Sequence, residues 1–177
     1  DNAALSAQPQ LVWSANIGAG DGKRQRIVAD PVTAQGRIFT LDAAATVTAT
    51  AASGATLWSR DLTPPADRSD QATGGGIAFA DGVLTPTVVG DLIYLVSGGD
   101  TAWAIETSNG RVRWQTTTAP DQANVLGGAA PVITDQFAIF AFGNGEVQAN
   151  FRQGGSRAWD SIVAGQRRFS ALARIAD

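Results

Sequence analysis

Catalysis has few residues to draw on in this chain. His, Cys and Met are all absent, which removes the usual general base, the thiolate nucleophile and the commonest transition-metal ligand. A Ser-His-Asp triad cannot be assembled, and no disulfide can report an oxidising compartment. The carboxylates Asp21, Asp30, Asp42, Glu106 and Glu146 are scattered along the chain, whereas a hard cation needs several converging oxygens. Gly18-Ala19-Gly20-Asp21-Gly22 has the glycine density of a phosphate loop. That motif must follow a strand and open a helix, yet here it leads into the strand-like Arg26-Ile27-Val28. It reads as a connecting loop, with Lys23, Arg24 and Arg26 as a solvated face. These residues put an enzyme at a disadvantage, and the expectation is no enzyme, with no catalytic, cofactor or metal site.

The elements that would position any site are short strands. Between Thr85 and Trp114, four runs are separated by Gly90-Asp91, Gly98-Gly99-Asp100 and Asn109-Gly110. Gly, Asn and Asp supply the positive φ that tight hairpin turns require, and the runs between them are too short for helices. The unit recurs in register. Pro31, Pro86 and Pro131 open the copies; Phe39, Tyr94 and Ile139 follow, then Ala49, Ala104 and Ala149. Each copy closes in Gly-x-x-x-Trp: Gly54 to Trp58, Gly110 to Trp114 and Gly155 to Trp159, the first copy one residue short in its last turn. A four-stranded unit repeating every 45 residues from Pro86 to Pro131 is the pattern of a β-propeller blade. The fold class is therefore all-β, a propeller of four-stranded antiparallel blades. Trp13, Trp58, Trp114 and Trp159 are expected to anchor adjacent blades, with the repeated alanines leaving room for the indoles. Trp103 lies off the pattern and reads as a core residue.

The chain has 177 residues, 44% of them hydrophobic and 16% charged, with 20 Gly and a net charge of −3. That balance suits a turn-rich β protein and offers no basic field for nucleic acid. No apolar run approaches the ~20 residues of a membrane-spanning helix. The opening from Asp1 is polar and has no leader-like apolar core, so it reads as a mature, trimmed or cytosolic chain.

Residues 1–177 are read as one propeller domain or fragment, with blades at about 30–60, 77–84 (partial), 86–115 and 131–160. Leu11-Val12-Trp13 reads as the closing strand of a preceding blade, and Phe169 to Asp177 as the start of a further one. Residues 62–73 form a polar Pro- and Asp-rich connector. Aligning Gly82 with Gly36 puts Ile77 at the Pro31 position, yet Pro86 follows nine residues later. Most of three strands are missing between Leu84 and Thr85. An omitted segment is preferred to a true half blade, which would leave a naked strand edge. Three complete blades cannot close a ring, so about four blades of a propeller, one of them incomplete, are represented, the remainder lying in a larger propeller or in other copies.

The repeat Pro-x-x-x-Gly-Asp-x-Ile-Tyr … Ala-x-x-x-x-x-Gly-x-x-x-Trp resembles that of the quinoprotein-type propellers. The segments between blades make the chain similar to the BamB family, lipoprotein subunits of the outer-membrane β-barrel assembly machinery. These segments are Leu11 to Ala15 with Ile17-Gly18, Ala29 to Val32, Leu57 to Ser59, Gly74 to Ala78, Leu126 to Pro131 and Ala171 to Asp177. The resemblance implies an eight-bladed, periplasmic, outer-membrane-associated propeller held by a lipidated N-terminal Cys, which this chain lacks. It also implies a non-catalytic scaffold that binds the POTRA domains of BamA and assists insertion of outer-membrane barrels. Partner contacts map by resemblance to Val125, Leu126, Gly127, Arg174 and Asp177. Leu126 matches an apolar contact position, but Gly127 stands where well-studied members carry a basic residue, and Arg174 and Asp177 lie near positions that are acidic there. Two other readings stay open. One is a quinoprotein dehydrogenase binding pyrroloquinoline quinone and calcium; the other is a propeller adaptor for a different peptide.

Overall fold

The computed structural model describes residues 8–20, 30–62, 74–79, 92–97, 101–118, 130–142 and 144–163, with backbone only for 74–79 and Ser97. Twelve strands among them build three four-stranded antiparallel sheets. The first holds β1 (Val32–Ala34), β2 (Arg37–Leu41), β3 (Thr46–Ala51) and β4 (Thr56–Asp61). The second holds β5 (Gly74–Phe79), β6 (Leu92–Ser97), β7 (Thr101–Glu106) and β8 (Val112–Thr117). The third holds β9 (Val132–Ile133), β10 (Phe137–Ala141), β11 (Glu146–Phe151) and β12 (Arg157–Ile162). In each sheet the strands lie side by side in chain order. This is the all-β blade architecture predicted from the repeat.

The repeated sequence positions are rows across the sheets. Phe39 lies opposite Ala49 and Ala49 opposite Trp58. Tyr94, Ala104 and Trp114 form the same row in the second sheet, and Ile139, Ala149 and Trp159 in the third. Directly after each row alanine the register of the outer pair shifts. The extra residues are Leu57, Arg113 and Ala158, each immediately before its tryptophan. Such a bulge twists the outer strand and re-aims the side chain beside it. Gln35 and Gly36, both at positive φ, close the β1–β2 hairpin in the turn type that matches strand twist.

Burial follows from stacking. The middle strands are covered on both faces, so β6, β7 and β10 read as near-continuous apolar runs rather than alternating ones. Phe39, Leu41, Val47 and Ala49 meet Ile93, Leu95, Trp103 and Ile105 between the first and second sheets. Leu92, Tyr94, Val96 and Ala104 meet Ala138, Phe140 and Phe142 between the second and third. Trp103 is thus a core residue. First strands of neighbouring sheets touch, β1 with β5 and β5 with β9, which puts them on the inner side of the stack. The outer strands β4 and β12 are largely exposed.

Two expectations of strand placement need restating. The sequence separates a partial blade at 77–84 from a blade at 86–115. In the structure Gly74–Phe79 is the first strand beside Leu92–Ser97, with Ala78 opposite Tyr94, so Ile77 holds the place of Pro31 and Pro131. An apolar opener without strands of its own satisfies its backbone ladder on the free edge of β6. The Pro86 opener and the Leu84/Thr85 junction lie outside the described residues, as do Phe169 to Asp177. Leu11-Val12-Trp13 is not in a ladder: Leu11 and Val12 are 86% and 87% exposed. Among the described residues no strand pairs with the segment, which is held by Trp13 and by hydrogen bonds at Ile17 and Ala19.

Candidate functional site

Each Gly-x-x-x-Trp motif serves two interfaces at once. Its glycine sits in the turn between the third and fourth strands at positive φ: 88° at Gly54, 72° at Gly110 and 73° at Gly155. On that glycine lies the tryptophan of the preceding unit. A Cβ on Gly54 would come 2.9 Å from the Trp13 ring, one on Gly110 2.7 Å from Trp58, and one on Gly155 2.6 Å from Trp114. Glycine is required there by backbone conformation and by lack of space together. The indole Nε1 then donates to a carbonyl of the same turn: Trp13 to Ala52 at 2.9 Å, Trp58 to Thr107 at 2.8 Å and Trp114 to Arg152 at 2.8 Å.

The first turn is one residue shorter than the others, and its closing bonds show it. Gly54 N–H donates to Ala51 O three residues back, whereas Gly110 and Gly155 donate to Glu106 and Phe151, each four residues earlier. The acceptor accordingly lies two residues before Gly54 and three before Gly110 and Gly155. The sequence reading expected the row alanines to make room for the indoles. Those alanines sit across from their own tryptophan, and the space is given by the next unit's glycine. The constant Gly-to-Trp spacing is the trace of that contact in the sequence.

Side chains strengthen the same seams. Arg60 Nε donates to Gly110 O at 2.9 Å, and Arg37 Nη1 to Thr107 O at 3.4 Å. Burial pushes the Tyr94 phenol pKa up, against the hydrogen bond and charge of Arg152 on the next sheet. Thr118 donates to Glu146 Oε2 across the second seam, Asn144 Nδ2 donates to Thr118 Oγ1 at 2.7 Å, and Gln148 Nε2 donates to Glu146 Oε1 at 2.6 Å. Burial alone would raise the Glu146 pKa; the hydrogen bonds of Thr118, Gln148 and Asn144, with the charge of Arg157, hold it below the usual range.

Asp42 and Glu106 are structural as well. Buried Asp42 accepts from the amides of Ala44, Thr46 and Ala19 at 2.9, 2.7 and 2.7 Å. Glu106 pairs with Arg111 at 2.6 Å and Arg113 at 3.4 Å. Hydrogen bonds from Arg111 and Asn109 lower its pKa. Asp30 is exposed, and Asp21 lies outside the described residues. Among the described residues no group of three or more His, Cys, Asp or Glu converges as metal ligands would. Asp42, Glu106 and Glu146 thus form no shared cation site. The expected partner residues Val125, Leu126, Gly127, Arg174 and Asp177 all lie outside the described residues, so the geometry neither joins nor separates them. No described helix is long and apolar enough to cross a membrane.

Comparison with known proteins places the fold. A family model described as outer membrane protein assembly factor BamB matches residues 3–177. No curated protein matches in sequence. BamB from Moraxella catarrhalis superposes with a TM-score of 0.60 at 18% identity, over 78% of this chain and 38% of that one. Quinohemoprotein alcohol dehydrogenase from Comamonas testosteroni gives 0.62 at 20% identity, over 86% of this chain and 23% of that one. The computationally designed Ika4 protein gives 0.62 at 12% identity, over 96% and 89%. The chain thus spans well under two thirds of the two natural structures, and at these identities the likeness shows the fold alone.

Proposed function

The chain belongs to the PQQ-like propeller family whose model is described as outer membrane protein assembly factor BamB, and from that premise we propose that it is a periplasmic, non-catalytic scaffold at the outer membrane. It binds the POTRA domains of BamA and assists insertion of β-barrel proteins. The observation that carries the reading is the match across residues 3–177. The physical rationale is rigidity. Indole-on-glycine locks join the described sheets, so the turns between third and fourth strands stand in fixed positions, and a scaffold that is rigid before binding loses little ordering entropy on binding. Val125, Leu126 and Gly127, with Arg174 and Asp177, are the contacts this reading assigns. Leu126→Asp is expected to weaken binding to a BamA POTRA fragment at least about tenfold, or ~1.4 kcal/mol, with an unchanged circular dichroism spectrum. Unchanged affinity removes this surface.

A second reading rests on the similarity to the quinohemoprotein alcohol dehydrogenase. It requires carboxylates free to converge, and Asp42, Glu106 and Glu146 are each committed to structural bonds on separate turns or sheets. Titration with pyrroloquinoline quinone and calcium is expected to give no saturable change in cofactor absorbance. Saturable binding with dye reduction would favour the dehydrogenase.

A further inference from the structure

The chain holds two Asn-Gly peptides, Asn109-Gly110 and Asn144-Gly145. In such a peptide the glycine amide nitrogen can attack the asparagine Cγ, because no side chain on the glycine hinders the approach. The two sites differ in their surroundings. Asn109 is exposed on the turn between β7 and β8. Its Oδ1 accepts from the Arg111 amide at 2.8 Å, and its Nδ2 donates to Glu106 Oε2 at 3.0 Å. The amide donor on Oδ1 is placed to hold the negative charge that develops there when Cγ is attacked. Asn144 Oδ1 has a similar bond, accepting from the Glu146 amide at 2.9 Å. Asn144 is half-buried, however, and its Nδ2 is tied to Thr118 of the neighbouring sheet at 2.7 Å. Packing makes the glycine at 110 obligatory, since a Cβ there would stand 2.7 Å from the Trp58 ring. The residue before it is less constrained: Ser53 and Gly154 precede the glycines of the sister turns.

We propose that Asn109 is a site of spontaneous deamidation, with water as the co-reactant, and that its conversion loosens the seam between the first and second sheets. The Gly110 nitrogen bonds to Asn109 Cγ and gives its proton to water. The Cγ–Nδ2 bond breaks, and ammonia leaves with a proton taken from water. Water then opens the cyclic imide at either carbonyl, giving aspartate or isoaspartate. The step begins when the Gly110 N–H, bonded to Glu106 O at 2.9 Å, is released by local opening of the turn. Isoaspartate routes the main chain through the former side chain and lengthens it by a methylene directly before Gly110. That turn supplies the Thr107 carbonyl to Trp58 Nε1 and Arg37 Nη1, and the Gly110 carbonyl to Arg60 Nε. These bonds across the seam then lose acceptors held in place. The new carboxylate also faces Glu106 where an amide donor stood. An exposed asparagine thereby times the loosening of a buried contact, and nothing in this depends on the BamA reading.

The test is an ageing experiment on the unaltered protein. It is held in mildly alkaline buffer at body temperature, and samples are digested and read by peptide mass spectrometry, with isoaspartyl methyltransferase labelling to count isoaspartate. Conversion at Asn109 is expected to run at least about tenfold faster than at Asn144, whose amide moves only if the second seam opens. Equal rates, or no conversion at Asn109, overturn the proposal. Urea denaturation of the same samples reads the consequence. The midpoint is expected to fall in step with the isoaspartate fraction at Asn109, while Asn109→Ser, which carries the residue of the first turn, keeps its midpoint through the same incubation. An equal fall in Asn109→Ser, or isoaspartate at Asn109 with an unchanged midpoint, overturns the link to the seam.

Discussion

An indole laid on a glycine tolerates little change on either side. Trp114 is buried against Tyr94, Phe140 and the turn at Gly155. Trp114→Ala is expected to cost about 3–5 kcal/mol in urea denaturation, the range for truncating a buried large aromatic. Gly155→Val must take a φ of 73° and place its Cβ 2.6 Å from the ring, so a loss of at least about 2 kcal/mol is expected. The two act on one contact, and the double variant should fall short of the sum by about 1 kcal/mol or more; strict additivity would mean the lock is not one interaction. Glu146 offers a pH test. Its folded pKa lies below the usual glutamate range, so its contribution is present above the unfolded value and is lost as pH falls through the folded one. The acid limb of a stability–pH curve should therefore be shallower in Glu146→Gln than in the unaltered protein.

At the scale of the strand, much was legible because two periods coincide. A blade repeats its turns, and a sheet repeats its faces, so counting from Pro31 and Pro131 located Phe39, Ile139 and the row alanines before any coordinates. The bulges before Trp58, Trp114 and Trp159 were not legible, since Leu57, Arg113 and Ala158 share no residue type that marks an extra position. Nor was the pairing of Gly74–Phe79 with Leu92–Ser97, which depends on which strand edge is free rather than on either strand's own residues. The carboxylates are scattered along the chain, and the closeness of Glu146 to Thr118 comes from sheet stacking across a span that no local pattern records. Exposure separates outer strands that look alike in sequence. β8 buries Trp114, while every residue of β12 is exposed. Hydrogen exchange in β12 is accordingly expected to run about tenfold faster than in β8, and equal rates would mean that the outer face of the third sheet is covered in solution.

At the scale of the molecule, the repeated locks convert short strands, each marginal alone, into a stack whose third turns are each held by the tryptophan of the preceding unit. The three sheets share one stacking rule, and the same motif that ends one blade receives the previous one. The charge of −3 gives no strong field to steer a partner, so association should depend only weakly on salt. The most direct measurement is calorimetric titration of the unaltered protein with a BamA POTRA fragment. Saturable binding at one site, with little change between low and physiological salt, is the predicted result; no binding at high micromolar concentration would contradict the scaffold assignment.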